Sequence, residues 1–182
     1  MKVIIAEKPS VAQSIASVVG AGRRKDGYLL GDNYAVTWAF GHLVGLAMPE
    51  TYGFAGFRRE HLPILPQEFR LVPRQVREGK TCKDDPGVVR QLEVIRELFD
   101  KCESIIVATD AGREGELIFR YVYGYLGCAK PFARLWISSL TDKAIREGLQ
   151  NLRDGSLYDN LYLSAKARSE ADWLVGINSS QA

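Results

Sequence analysis

Ser104-Ile105-Ile106-Val107-Ala108-Thr109-Asp110-Ala111-Gly112-Arg113-Glu114-Gly115-Glu116 is the stretch on which the fold turns. Its apolar, β-branched opening predicts a short strand over residues 104–109, buried on both faces. Asp110 follows that strand directly, and Gly112 and Gly115 relax the backbone at the turn. Leu117, Ile118, Tyr121, Val122 and Leu126 then recur at helical spacing, which predicts the next helix. A buried strand that runs straight into a helix is half of a βαβ unit. In sheets built from such units, ligands sit beyond the carboxyl ends of the strands. The acids of this stretch lie at that edge.

The same alternation extends to both sides. Residues 2–6 read as a second buried strand, with Val3, Ile4 and Ile5 in a row and Glu7 directly after. Val11, Ala12, Ile15, Ala16 and Val19 mark a helix of about ten residues between Pro9 and Gly20. Residues 28–30 and 34–38 read as a hairpin around Gly31-Asp32-Asn33. Periodicity fades from Phe40 to Pro86, a length of irregular chain that is usually functional or inserted. A helix follows on Val88, Leu92, Ile95, Leu98 and Phe99. Further along come a strand over residues 134–137 and a helix over residues 143–152, opened by Thr141 or Asp142. Strands alternating with helices predict an α/β fold on a parallel sheet. After Gly155-Ser156 the pattern becomes one helical stretch, about residues 157–175, with no evident sheet partner. The reading is a first domain over residues 1–155, with residues 156–182 opening a following helical domain that is cut short.

Composition removes other classes. The chain has 182 residues, 46% of them apolar and 25% charged, enough for a full core without metal or disulfide support. No apolar run nears the roughly 20 residues that span a bilayer, and Lys2 and Glu7 confine the first apolar run to four residues, too short for a signal peptide. Cys82, Cys102 and Cys128 are odd in number and far apart, which predicts a reducing cytoplasm and no structural zinc. The net charge of +2 excludes a histone-like coat for nucleic acid. Between Arg58 and Lys80, six basic residues against three acidic ones make a local patch that suits either phosphate contact or a solvated loop.

The acids carry the chemistry. Glu7, Asp110, Glu114 and Glu116 converge on one sheet edge from two strand ends, with no His or Cys among them. Such a donor set suits Mg²⁺, a hard cation that keeps several waters and often binds phosphates. Lys8 and Arg113 beside the acids suit phosphate binding or charge screening. The plainer account of Glu114 and Glu116 is favourable interaction with a helix N-terminus, worth about 0.3–1 kcal/mol each. Other motifs fail: there is no GxxxxGK[ST], Gly20-Ala21-Gly22 follows a helix rather than a strand, and Ser10, Ser138 and Ser139 lack a GxSxG elbow. His42 and His61 are isolated, and the flanks of His42 predict a packed or backbone-bonded ring.

Read together, six ordered segments resemble the Toprim domain of type IA DNA topoisomerases, most closely the bacterial topoisomerase III group. They are Ala6-Glu7-Lys8-Pro9-Ser10-Val11-Ala12, Gly41-His42-Leu43, Leu62-Pro63-Ile64-Leu65-Pro66, Ala108 to Glu116, Arg134-Leu135-Trp136-Ile137-Ser138-Ser139, and Ala167-Arg168 with Asp172-Trp173-Leu174-Val175-Gly176. The resemblance implies a Rossmann-like parallel sheet with helices on both faces. It implies Glu7 as general acid and base, aided by Lys8 and Arg113, and Mg²⁺ held by Asp110 and Glu114 with Glu7. Glycine at position 112 replaces the middle aspartate of the family's DxDxE motif. Lys8, His42 and Arg168 are the implied DNA contacts. The implied activity is ATP-independent cleavage, passage and religation of single-stranded DNA through a 5′-phosphotyrosine. The implied tyrosine lies in the enzyme's remaining domains, since the eight tyrosines here match no nucleophile motif. The competing readings are another Toprim enzyme (a primase or nuclease), a non-catalytic Toprim module that binds nucleic acid, and a receiver-like phosphoacceptor. The receiver reading lacks a lysine after the strand ending in Ser138-Ser139.

Overall fold

A computed structural model describes residues 1–56 and 58–181. The elements run β1 (Lys2–Ala6), α1 (Pro9–Val19), β2 (Arg23–Lys25), β3 (Tyr28–Leu30), β4 (Tyr34–Trp38), β5 (Val44–Leu46), β6 (Leu71–Pro73), β7 (Gln75–Glu78) and β8 (Thr81–Asp84). They continue with α2 (Pro86–Lys101), β9 (Ser104–Ala108), α3 (Arg113–Tyr125), β10 (Phe132–Arg134), α4 (Asp142–Gln150), β11 (Arg153–Asp154) and α5 (Asp159–Gln181).

Seven strands form one sheet in the order β11-β10-β9-β1-β4-β3-β2. The four central strands β10, β9, β1 and β4 are parallel. Ile4 sits between Val36 and Ile106, and Ala6 between Trp38 and Ala108. Side chains alternate across a strand, so each central strand feeds two cores. Val3, Ile5, Ile105 and Val107 face Leu92, Ile95 and Phe99 of α2 and Leu117, Phe119 and Val122 of α3. Ile4, Ala6, Ile106 and Ala108 face Val11, Ala12 and Ile15 of α1 and Ile145 of α4. Helices therefore cover both faces, which is why the central strands read as continuous apolar runs.

The helix ends follow their sequence signals. Pro9 starts α1, and Gly20, at φ 75°, closes it by donating its backbone N–H to the Ala16 carbonyl. Thr141 caps α4, its hydroxyl accepting from the Ala144 amide at 3.2 Å.

The expected hairpin is present, with β3 antiparallel to β4, and two antiparallel strands that the sequence did not announce extend the sheet: β11 on β10 and β2 on β3. β2 is Arg23-Arg24-Lys25, fully exposed, and its charges guard the sheet edge without leaving an apolar pattern to read. The strand expected over residues 134–137 lies at Phe132–Arg134 instead, because those residues take the parallel register on Ile105–Val107. Leu135 and Ile137 still pack on the α1 core, so their apolarity reports burial without strand pairing. The stretch from Phe40 to Pro86 holds two small antiparallel pairs, β5–β6 and β7–β8, and two single 3₁₀ turns.

α5 begins after a 3₁₀ turn over Gly155–Tyr158 and packs along α3, with Ala165 in the core. Its far end is fastened to the irregular region. The Trp173 indole donates to the Ala47 carbonyl at 3.0 Å and packs edge-on against Tyr52 and Phe69. Asn178 donates to the Ile64 carbonyl at 3.1 Å and accepts from the Ile64 amide at 2.7 Å. Among the described residues no helix is long and apolar enough to cross a membrane.

Candidate active site

β1 and β9 are neighbours in register, so the residues after them emerge side by side. The Asp110 amide donates to Glu7 Oε1 at 3.2 Å. Burial raises the Glu7 pKa above its ordinary value, and the adjacent Asp110 carboxyl adds to the shift. The amide bond from Asp110 and the Lys8 charge pull the other way. Asp110 is itself exposed, at the rim of a cleft of about 630 Å³ between α1 and residues 135–140.

The turn into α3 is tight. Gly115 passes so close to Asp110 that a Cβ there would fall 1.9 Å from the Asp110 carbonyl oxygen. The Thr109 hydroxyl closes the turn by donating to the Gly115 carbonyl at 2.7 Å. Gly112 sits at φ 157° and ψ 179°, an extended mirror conformation used essentially by glycine. An aspartate at that position would be strained even though no neighbouring atom blocks it.

Glu114 pairs with His42. Its Oε2 lies 2.9 Å from His42 Nε2, with 77% of the Glu114 side chain exposed. These two residues, Arg113, Arg168 and Asp172 line a second cleft of about 250 Å³ between α3 and α5. Lys8 is exposed at the start of α1. The expected residues thus divide into two neighbouring groups: Glu7, Lys8 and Asp110 at the strand ends, and His42, Arg113, Glu114 and Arg168 at the helix cleft. Among the described residues no three His, Cys, Asp or Glu side chains converge as a ready metal cage.

The sequence pattern of the Toprim domain matches residues 2–140. This chain belongs to the Toprim domain family. The motif resemblance to the bacterial topoisomerase III group holds over the whole chain. DNA topoisomerase 3 of Bacillus subtilis is 50% identical over 99% of this chain and 24% of its own length, and that of Bacillus licheniformis matches to the same extent. The chain spans about a quarter of the length of these curated relatives. Among solved structures, full-length topoisomerase I from Thermotoga maritima superposes with a TM-score of 0.60 at 23% identity, over 95% of this chain and 24% of that one. That likeness speaks for the fold.

Within this Toprim domain one acid has a different role from the one its sequence neighbours suggest. Glu116 is 1% exposed and turns inward, its Oε1 accepting from Arg120 Nε at 3.0 Å. Its partner on the other side is Arg134, also 1% exposed. Two residues along a helix rotate the side chain by about 200°, so Glu114 and Glu116 cannot face the same way. The reading of Glu116 as one of the converging carboxylates is corrected accordingly.

One residue of the basic run has a structural role. Arg74 Nη1 donates to the carbonyls of Phe40 and His42, both at 3.1 Å, and its guanidinium lies 5.3 Å from the Phe40 ring. It holds the Gly41-His42 turn, with Gly41 at φ 73°. Spacing in the sequence offered no signal for a contact 32 residues apart.

Proposed function

We propose that this chain is the Toprim portion of a type IA DNA topoisomerase of the topoisomerase 3 kind, and that Glu7 and Asp110 form its acid–base and Mg²⁺ site. The observation that carries the reading is the junction of Glu7 and Asp110 across adjacent parallel strand ends. Burial raises the Glu7 pKa, and the neighbouring Asp110 carboxyl adds to that shift. Hard oxygens on rigid strand ends fit Mg²⁺, which needs only one or two carboxylates and fills its other positions with water. Glu7 and Asp110 would hold the ion, with Glu114 joining when it leaves His42. When bound, Mg²⁺ would neutralise charge at a DNA phosphate.

The chain's own groups supply the rest. A tyrosine elsewhere in the enzyme loses its hydroxyl proton to solvent and attacks the phosphate, the P–O bond to the 3′-oxygen breaks, and a 5′-phosphotyrosine forms. Glu7, whose burial favours the protonated form, gives its proton to that leaving oxygen and takes it back on religation. Lys8 and Arg113 stabilise phosphate charge. His42 and Arg168, which both line the helix cleft, hold the single-stranded DNA backbone. The same proposal covers the partition at residue 155, with residues 156–182 leading into further domains, and a cytoplasmic location. The relatives' greater length supports the presence of further domains.

Calorimetry with Mg²⁺ on the wild-type chain and on Asp110→Asn tests the site. The expected result is weak binding that the substitution abolishes. Equal binding by both proteins would remove Asp110 from the site.

A further inference from the structure

Arg134 is the largest fully buried side chain among the described residues, and it lies on β10 beside the apolar run Ile105-Ile106-Val107-Ala108 of β9. Burial lowers its pKa and the Glu116 charge opposes that shift. A buried ion pair is poor evidence of a stabilising role, since apolar residues of similar size often do as well. The directions of its hydrogen bonds are more informative. Nη1 donates to the Val107 carbonyl and to the Thr109 hydroxyl, both at 3.1 Å, and Nη2 donates to the Asp110 carbonyl at 2.7 Å. All three acceptors lie on the last residues before the acidic turn.

Asp110 is therefore held by both of its backbone groups. Its N–H goes to Glu7 and its C=O to Arg134. Only a planar guanidinium fork reaches these acceptors together; a lysine ammonium is a point donor on a flexible stem. The fork is itself oriented from behind. Arg134 Nε lies 3.2 Å from Glu116 Oε2, and neither atom has a hydrogen-bond partner among the described residues, so this contact is a Coulombic pairing. Glu116 Oε1 takes the Arg120 Nε bond, and Arg120 Nη2 reaches the Gly155 carbonyl at 3.0 Å and Asp159 Oδ1 at 2.7 Å. Asp159 is the first residue of α5, the helix that carries Arg168.

We propose that Arg134 is the positioning residue of the acidic site, fixing Asp110 against Glu7, and that Glu116, Arg120 and Asp159 couple this position to the start of α5. What the site is for rests on the function proposed above; the coupling itself does not. A shift of α5, as when DNA enters the cleft under Arg168, would then be transmitted to Asp110 through three charged contacts.

The test combines amide hydrogen exchange by NMR with Mg²⁺ calorimetry on this chain. Two variants are used: Arg134→Lys, which keeps the charge but loses the fork, and Asp159→Asn, at a side chain 55% exposed and remote from the acids. Arg134→Lys is expected to speed exchange of the Asp110 amide by about tenfold and to weaken Mg²⁺ binding about 10–100-fold, while Ile4 and Ile106 stay protected. Asp159→Asn is expected to shift the Asp110 amide resonance with the Ile4 and Ile106 resonances unmoved. Loss of thermal stability in Arg134→Lys with unchanged Asp110 exchange and unchanged Mg²⁺ binding would overturn the positioning role, leaving a structural clamp. An Asp110 resonance indifferent to Asp159→Asn would overturn the coupling, and this variant decides alone if Arg134→Lys fails to fold. Absence of Mg²⁺ binding by the wild type would refute the metal reading only, since the exchange and resonance measurements need no metal.

Discussion

Substituting Gly115 by alanine adds one carbon where the chain has no room. That carbon would lie 1.9 Å from the Asp110 carbonyl oxygen, 2.8 Å from its carbonyl carbon and 2.9 Å from its nitrogen. Ordinary carbon–oxygen approaches are no shorter than about 3.3 Å, so the turn must open by about 1.4 Å. All three obstacles are backbone, and no rotamer change relieves them. A movement of that size pulls the Asp110 carbonyl from Arg134 and the Gly115 carbonyl from Thr109, bonds of 2.7 Å each. Overpacking costs about 1–3 kcal/mol and a lost bond to a charged donor about 1.5–3, for a total of about 2.5–6 kcal/mol. With a urea m-value of about 2 kcal/mol/M, the unfolding midpoint falls by about 1.2–3 M. Gly112→Ala is the control, because nothing lies within 4 Å of a Cβ there. Its cost is backbone strain alone, about 1–3 kcal/mol. Urea unfolding followed by circular dichroism, with Mg²⁺ titration of the folded variants, checks both. A Gly115→Ala midpoint within about 0.5 M of wild type, with Mg²⁺ binding intact, would refute the claim that this contact sets the approach of α3 to the acidic strand end.

Two further outcomes follow from the same geometry. The folded-state pKa of Glu7 is raised above its ordinary 4.5, so its protonated form contributes stability fully present below that value and lost as pH rises through the raised one. Glu7→Gln escapes that loss, and in metal-free buffer it should gain stability relative to wild type between pH 4 and pH 7; a difference independent of pH in urea unfolding would contradict the burial account. Asn178→Ala removes three hydrogen bonds, two to Ile64 and one to the Leu174 carbonyl. It should cost about 1–3 kcal/mol in thermal unfolding and speed exchange of the Ile64 amide, and an unaltered Ile64 amide would show that α5 does not hold that loop.

Local pattern determined a good deal about this protein. Val3 to Ile5 and Ile105 to Ala108 announce central strands because both of their faces are buried, and Glu7 and Asp110 follow at the ligand edge by chain continuity alone. Helix periodicity and caps located α1 to α4 because those signals lie within a few residues of each other. Which acid faces which neighbour was settled only in three dimensions. Glu114 meets His42 across 72 residues, and Glu116 turns to Arg134 and Arg120. Both acids sit in the first turn of one helix, so helix-end preference treats them alike; the packing of α3 on the sheet separates them. β2 and β11 left no sequence signal because charged or two-residue strands owe their pairing to a neighbour rather than to their own apolarity. Arg134 reads as an ordinary arginine at a strand end, and its burial follows from the β10–β9 register, which places it beneath α3. Periodicity encodes which face of an element is apolar; the partner that covers that face, and any charge buried with it, is decided only when the elements pack.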